Sequence, residues 1–380
     1  MAKLKTDWIL FGAILALISF GIVMLYSASG VVATLRFNLP SYYFLVRHVA
    51  WVVLSLSVLM YLKRRDYRQL NTAAWAFTAL GIVLTLLIAV YVVDTRDHRW
   101  FRFPGVGSLQ PSEFAKPALI LFLAYFLARR SKMVNNRRTL VQAGMAILML
   151  ALLVVVSDLG TAMVPVITAL VVFWVAGLER RIMAGILALG FFLVFIAIAS
   201  RGYRVGRVIA YVDPDYSVIE VVDRGQWIRH YVESSTTVRD ASYQPEQSKI
   251  AVGAGGVFGQ GLMQGKQKLM FLPEAHTDFI YATVGEELGL VGSTAVLLGF
   301  LVLLWRGARL FVLAREDFGK YLALGITVSV VVQAMLNMSV VLDMAPTKGF
   351  PLPMISQGGS SMLSTLISMG MLLSVGDHEG

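Results

Sequence analysis

Ten runs of mainly apolar residues, each long enough to cross a bilayer, constrain this chain more than any other feature. A helix rises about 1.5 Å per residue, so spanning a ~30 Å hydrocarbon core takes roughly 20 such residues. The runs fall at about 8–28, 44–62, 73–93, 113–129, 140–157, 160–178, 182–200, 279–305, 318–342 and 354–375. They are continuous rather than alternating, which argues against a transmembrane β-barrel. Of the 380 residues, 57% are hydrophobic and 15% charged, against about 45–50% and 25% in a soluble domain. That balance excludes a cytosolic enzyme and a disordered protein. The chain has no cysteine, which removes disulfides, a thiolate nucleophile and sulfur-ligated metals. The expected fold is an all-α polytopic membrane protein. It is a single integral membrane domain over 1–380, with one long extracytoplasmic loop at about 201–277, between the seventh and eighth helices.

The formal charge of +10 invites a nucleic-acid reading, but its distribution argues otherwise. With the N-terminus inside, the cytoplasmic side holds Lys3, Lys5, Lys63, Arg64, Arg65, Arg68, Arg129, Arg130, Lys132, Arg137, Arg138, Arg180, Arg181, Arg306, Arg309, Arg315 and Lys320. The short outer loops hold only Arg36, Arg96, Arg99, Arg102 and Lys348. This bias places both termini in the cytoplasm and accounts for the basic charge without nucleic acid. The first run lacks an A-x-A-like cleavage site and reads as a retained helix.

Ionisable groups at membrane depth are costly and mark functional candidates. Glu113 and Lys116, three apart at the start of the fourth span, share a helix face and can pair, with Ser112 as the expected N-cap. They close a helix end or line a polar cavity. Asp158, in a link too short for an aqueous loop, can cap the sixth helix. Glu274, His276, Thr277 and Asp278 gather where the long outer loop enters the eighth span. A carboxylate there could cap the helix, act as a general base, or hold a divalent cation such as Mg or Mn. At least one of Glu286 and Glu287 must face the protein interior.

Pro351, Pro353, Ser356, Gly358, Gly359 and Ser360 interrupt helical backbone, which at this depth is tolerated only against protein or a wet cavity. They are expected to shape a pocket. The glycines at 253–261 do not match a P-loop and read as turns and close backbone contacts. Cations of the long loop, Arg207 and Lys249 among them, would suit an anionic, lipid-linked substrate. These residues fit either an enzyme at the outer leaflet or a transporter. The one-sided gathering of charge favours the enzyme, and a scaffold would need none of it.

The strings LISFGIVMLYSASG (17–30), QPSEFAK (110–116), SDLGTA (157–162), QSKIAVGAGG (247–256), FLPEAHTDFIYATVGEELGLVG (271–292) and PTKGFPLPMISQGGSS (346–361) resemble the SEDS family, the shape, elongation, division and sporulation proteins. The likeness runs from end to end, and the 271–292 block is the most specific. The resemblance implies a peptidoglycan glycosyltransferase that polymerises lipid II. It makes Asp278 the catalytic residue and sets Glu113 and Lys116 in a central cavity. It implies a class B penicillin-binding protein as transpeptidase partner, together with other divisome or elongasome membrane proteins. The PTKG and QKLMFLPEAHTDF strings look more like the division branch than the elongation branch. A lipid II flippase and a non-catalytic scaffold are the alternatives. Two departures stand out. Gln357 replaces the family's usual Tyr, and the 213–246 stretch is longer than usual and rich in charge.

Overall fold

A computed structural model describes residues 6–95, 97–103, 107–213, 227–233, 238–269 and 271–379. Lys3, Lys5, Arg96 and, within the lengthened 213–246 stretch, Glu220, Asp223 and Arg224 lie outside the described residues. The helices are α1 (Trp8–Phe37), α2 (Tyr43–Arg64), α3 (Ala73–Val93), α4 (Pro111–Ala128), α5 (Arg137–Ser157), α6 (Leu159–Val175) and α7 (Arg180–Ala199). They continue as α8 (Gly202–Val212), α9 (Trp227–Glu233), α10 (Val238–Gly255), α11 (Ile280–Leu313), α12 (Asp317–Val341) and α13 (Gly359–Glu379). A two-stranded hairpin, β1 (Phe101–Phe103) with β2 (Gly107–Leu109), precedes α4.

Among the described residues, nine helices are long and apolar enough to cross a membrane. The tenth expected span, 160–178, is the 17-residue apolar helix α6. The all-α membrane architecture therefore holds, with this one element shorter than expected. The ends of the helices follow ordinary capping chemistry. Asp7 accepts from Leu10 N at 3.0 Å, and Thr72 accepts from Trp75 N at 3.3 Å. Helix α4 differs from expectation. Gln110, not Ser112, occupies the cap. Pro111 takes the first helical position, where its missing N–H leaves no bond unmade.

Helices α4, α12 and α13 form the buried centre, while α7 turns nearly all of its surface outward. Helix α13 packs on α2 and α4, and α12 packs on α4, α6 and α11. The centre is not purely apolar. It carries Glu113, Lys116, Gln333, Asn337 and Ser364, all buried. Such groups need internal partners, because bilayer hydrocarbon offers none.

Two expectations are corrected. The segment 201–277 is not a plain loop: it contains α8, α9 and α10, and α10 packs along α11. Ser248 of α10 is buried and donates to Val341 O at 2.7 Å. The eighth span is not a continuous helix over 279–305. Helix α11 runs to Leu313 and breaks at Gly289, whose φ of 65° and ψ of −157° are non-helical.

A break strands backbone groups on both sides, and residues 256–261 satisfy them. The carbonyls of Glu286 and Glu287 accept from Gln260 N and Gly261 N, both at 3.0 Å. Beyond the break, Leu290 N donates to Gly256 O at 3.0 Å and Val291 N to Val257 O at 3.2 Å. The chains approach so closely that a Cβ on Gly255, Gly259 or Gly289 would collide with opposing backbone. The expected close glycine contacts are thus present, and they lock a broken helix.

Candidate active site

The first half of α11 carries Asp278 ahead of its N-terminus and two buried acids at its C-terminus. Both Glu286 and Glu287 face the interior. Glu287 accepts from Lys268 Nζ at 2.5 Å, from Ser27 Oγ at 2.7 Å and from Met263 N at 3.0 Å. Glu286 accepts from Lys266 N at 2.7 Å and Gln267 N at 3.1 Å. These bonds fix residues 263–268, the stretch that leads into the 271–278 block.

A second layer of bonds fixes Asp278 itself. Asn337 Nδ2 donates to Asp278 O at 2.7 Å and also to Phe350 O. One helix turn earlier, Gln333 donates to Pro351 O at 2.8 Å and accepts from Lys116 Nζ at 2.6 Å. Lys116 also pairs with Glu113 at 2.8 Å, so the expected ion pair forms, fully buried. Ser356 Oγ donates to Thr277 O at 2.6 Å and accepts from Leu352 N at 2.7 Å. Ser360 Oγ accepts from Gln110 N at 2.9 Å. Gly358 and Gly359 open α13, where Gly359 lies flat beneath the Trp51 indole. The non-helical stretch containing Pro351 and Pro353 thus lies between α12 and the Asp278 block.

Asp278 is half-buried, and among the described residues no hydrogen bond or ion pair engages its carboxylate. Burial, reinforced by Glu274 and Asp158, pushes its pKa up to about 7. Thr277 donates to Glu274 Oε2 at 2.8 Å, and the His276 ring lies against Phe44 at 5.6 Å. Gln357 N donates to His276 O at 3.2 Å, while Gln357 Oε1 is buried without a partner among the described residues.

Asp158 does more than cap. Its Oδ1 accepts from Gly160 N at 2.9 Å and pairs with Lys348 Nζ at 2.5 Å. Its Oδ2 pairs with Arg99 at 2.9 Å. Burial alone would raise this carboxyl, but Lys348 and Arg99 outweigh that and hold it below the usual carboxylate range. Arg207 donates to Thr347 O at 3.4 Å and is coupled electrostatically to both Asp158 and Asp278. Lys249 does not join this group. It is an exposed residue paired with Asp343 at 2.8 Å. The sequence does not set Arg99 and Lys348 apart from other outer-loop cations, because each lies in a short loop whose position only the fold fixes.

These side chains do not form an all-protein cage for a divalent ion. Among the described residues no three His, Asp or Glu side chains converge. Asp278 is instead faced by Lys348 and Arg99, so the positive charge beside it belongs to the protein.

Fold and site together define a multi-pass helical membrane protein with charged side chains clustered around Asp158 and Asp278. The chain belongs to the FtsW/RodA/SpoVE family, described as cell cycle proteins, whose profile matches residues 7–380. It is 39% identical to the "Probable peptidoglycan glycosyltransferase FtsW" of Geobacter metallireducens, over 98% of this chain and 94% of that one. It is 34% identical to the "Stage V sporulation protein E" of Bacillus subtilis, over 99% of this chain and 98% of that one. Among solved structures it resembles a chain of "Structural coordination of polymerization and crosslinking by a peptidoglycan synthase complex". The TM-score is 0.75 at 25% identity, covering 99% of each chain. It also resembles the rod shape determining protein RodA of Thermus thermophilus, with TM-score 0.68, 25% identity and 98% and 97% coverage.

Proposed function

We propose that this protein is a peptidoglycan glycosyltransferase that polymerises lipid II, on the FtsW side of its family. Its place is the cytoplasmic membrane, with the Asp278 end facing outward and both termini inside. A transpeptidase of the class B penicillin-binding type works beside it. The relatives' names and the synthase complex among its structural neighbours support this reading. The observation that carries it is the Asp278 carboxyl, unpaired among the described residues and pushed by burial up to a pKa of about 7.

Chain extension requires the 4-hydroxyl of one lipid II to attack the anomeric carbon of another. A carbon–oxygen bond forms, the bond to the diphosphate breaks, and undecaprenyl diphosphate departs. Asp278 takes the hydroxyl proton. A base poised near the working pH combines a large ionised fraction with adequate basicity. The leaving diphosphate gathers negative charge, which fixed cations beside the site stabilise. Arg207 belongs to this group, and Lys249, engaged with Asp343, stands apart from it. Glu113 and Lys116 tie α4 through Gln333 to the Pro351 carbonyl and so support the pocket wall.

The test is lipid II polymerisation by the full chain with its cognate transpeptidase, wild type beside Asp278→Ala and Asp278→Asn. Glycan strands from wild type alone are expected. Full activity in either variant would remove Asp278 as the base. No strands from a folded wild-type complex would shift weight to a lipid II flippase or a scaffold.

A further inference from the structure

Asp158 sits where an anion would be expected. It lies at the N-terminus of the 17-residue helix α6, with two of that helix's backbone N–H groups directed at Oδ1. Lys348 and Arg99 reach it from two other loops, one on each carboxylate oxygen. Gly160 leaves the room for this: the Lys348 side chain crosses it so closely that any Cβ would clash with Lys348 Cε. The cations are not fully enclosed, with side chains 22% and 30% exposed, whereas the Asp158 side chain is 7% exposed. The two cations therefore present an open side, and the carboxylate closes the other.

This arrangement stands beside the proposed base. Lys348 is followed by Gly349, whose Cα abuts Asp278 Oδ2. A helix N-terminus with two converging cations is chemistry suited to phosphate oxygens. A structural ion pair would need one cation, not two from separate loops plus a third, Arg207, coupled to the same carboxylate.

We infer that Arg99 and Lys348 form a diphosphate-binding cradle, and that Asp158 is a built-in carboxylate that occupies and orients the two cations until a lipid-linked diphosphate engages them. The inference rests on the proposed glycosyltransferase reading for its ligand. Asp158 acts as a positioning residue, because it meets the ligand only through the cations. When the diphosphate arrives, each cation exchanges part of its bonding from a carboxylate to a phosphate oxygen. The charges are thus ordered before substrate binds.

Asp158→Asn separates this role from capping. Asn caps a helix about as well as Asp, yet it lacks the charge that competes for the cations. The full chain carrying Asp278→Ala, which stops turnover, is reconstituted in nanodiscs. It is titrated with undecaprenyl diphosphate, with undecaprenyl phosphate, and with inorganic diphosphate as competitor. Adding Lys348→Met or Arg99→Gln should raise the Kd for undecaprenyl diphosphate about tenfold, the scale of one charge-assisted hydrogen bond. Adding Asp158→Asn should lower it severalfold and steepen its salt dependence. Preference for the diphosphate lipid over the monophosphate, with competition by inorganic diphosphate, places recognition at the headgroup rather than the lipid tail.

Equal Kd values in all four proteins overturn the inference. So does a weaker Kd in Asp158→Asn at an unchanged melting temperature. Shifted affinities, with no polymerisation of lipid II by the chain that keeps Asp278 and its transpeptidase, would sink the enzymatic reading and keep the cradle. Normal polymerisation with unmoved affinities would do the reverse.

Discussion

Gly349 lies with its bare Cα against the carboxylate of Asp278, so that a single methyl group there would overlap Oδ2. The residue before it, Lys348, reaches Asp158 at 2.5 Å. Two adjacent residues of one non-helical stretch thus bound the proposed base on one side and supply a cation on the other. Asn337 and Gln333 hold that stretch from α12 through the carbonyls of Phe350 and Pro351.

Gly349→Ala should therefore act on chemistry rather than on folding. The displaced carboxylate should cost on the order of 10²-fold in polymerisation rate, the scale of an ångström-level misplacement. Melting temperature should change far less than the rate, since the nearest atoms to the added methyl all belong to the Asp278 side chain. Rates measured beside a thermal melt check this, and a wild-type rate would separate Gly349 from Asp278.

Asp278 also sets a pH dependence. As the proposed base it works ionised, so the polymerisation rate should rise with pH through about 7 and level off above. Its effect on stability has the opposite sign. The folded pKa lies above the ordinary 3.8, so folding becomes less favourable as pH rises from about 4 to about 7, and the full penalty persists above that. Asp278→Asn should therefore melt higher than wild type at pH 8, with the difference fading toward pH 4. A rate profile and melts across pH 4–9 test both signs.

The lock at the α11 break predicts a contrast between two glycines. Gly289 has a backbone conformation essentially restricted to glycine and faces Gly259 N and Val257 O. Gly289→Ala should lose about 1–3 kcal/mol from strain alone, with the collision added. Gly253, in helix α10, has nothing within 4 Å of a built Cβ. Gly253→Ala should be neutral or stabilising by up to about 1 kcal/mol. Thermal melts of the two variants decide it.

Lys268 and Glu287 are both buried, 2.5 Å apart. Removing either charge alone should cost about 3–5 kcal/mol, because it strands the other. Lys268→Met combined with Glu287→Gln should cost less than the two single changes summed. A double-mutant cycle reads the coupling, and additive losses would deny it.

Lys249→Ala should leave polymerisation at the wild-type level. Its ion pair with Asp343 is exposed and worth about 0–1 kcal/mol. A strong loss of lipid II affinity in this variant would return Lys249 to the diphosphate site.

Much of this protein is dictated locally. Runs of apolar residues must become helices in a bilayer, since only helices satisfy their own backbone there. Hence the span positions can be read directly, apart from α6, which is shorter than expected, and the eighth span, which breaks at Gly289 and runs on to Leu313. The Glu113–Lys116 pair and the Asp158 cap depend on spacing along one helix or turn, so they too were visible in the sequence. The strings around Asp278 carried the family.

What the sequence could not specify depends on approach between distant segments. Arg99 and Lys348 lie 249 positions apart, and nothing in either loop announces a shared carboxylate. The break at Gly289 was hidden because the flanking residues are apolar and helix-compatible. It exists because residues 256–261 supply the backbone partners that the missing turn would have made. Lys249 looked equivalent to Arg207 until the packing of α10 aimed it at Asp343. Hydrophobic length and helical spacing are properties of a segment, and the sequence determines them alone. The poise of Asp278 and the cations around it are properties of contacts, and only the tertiary structure decides them.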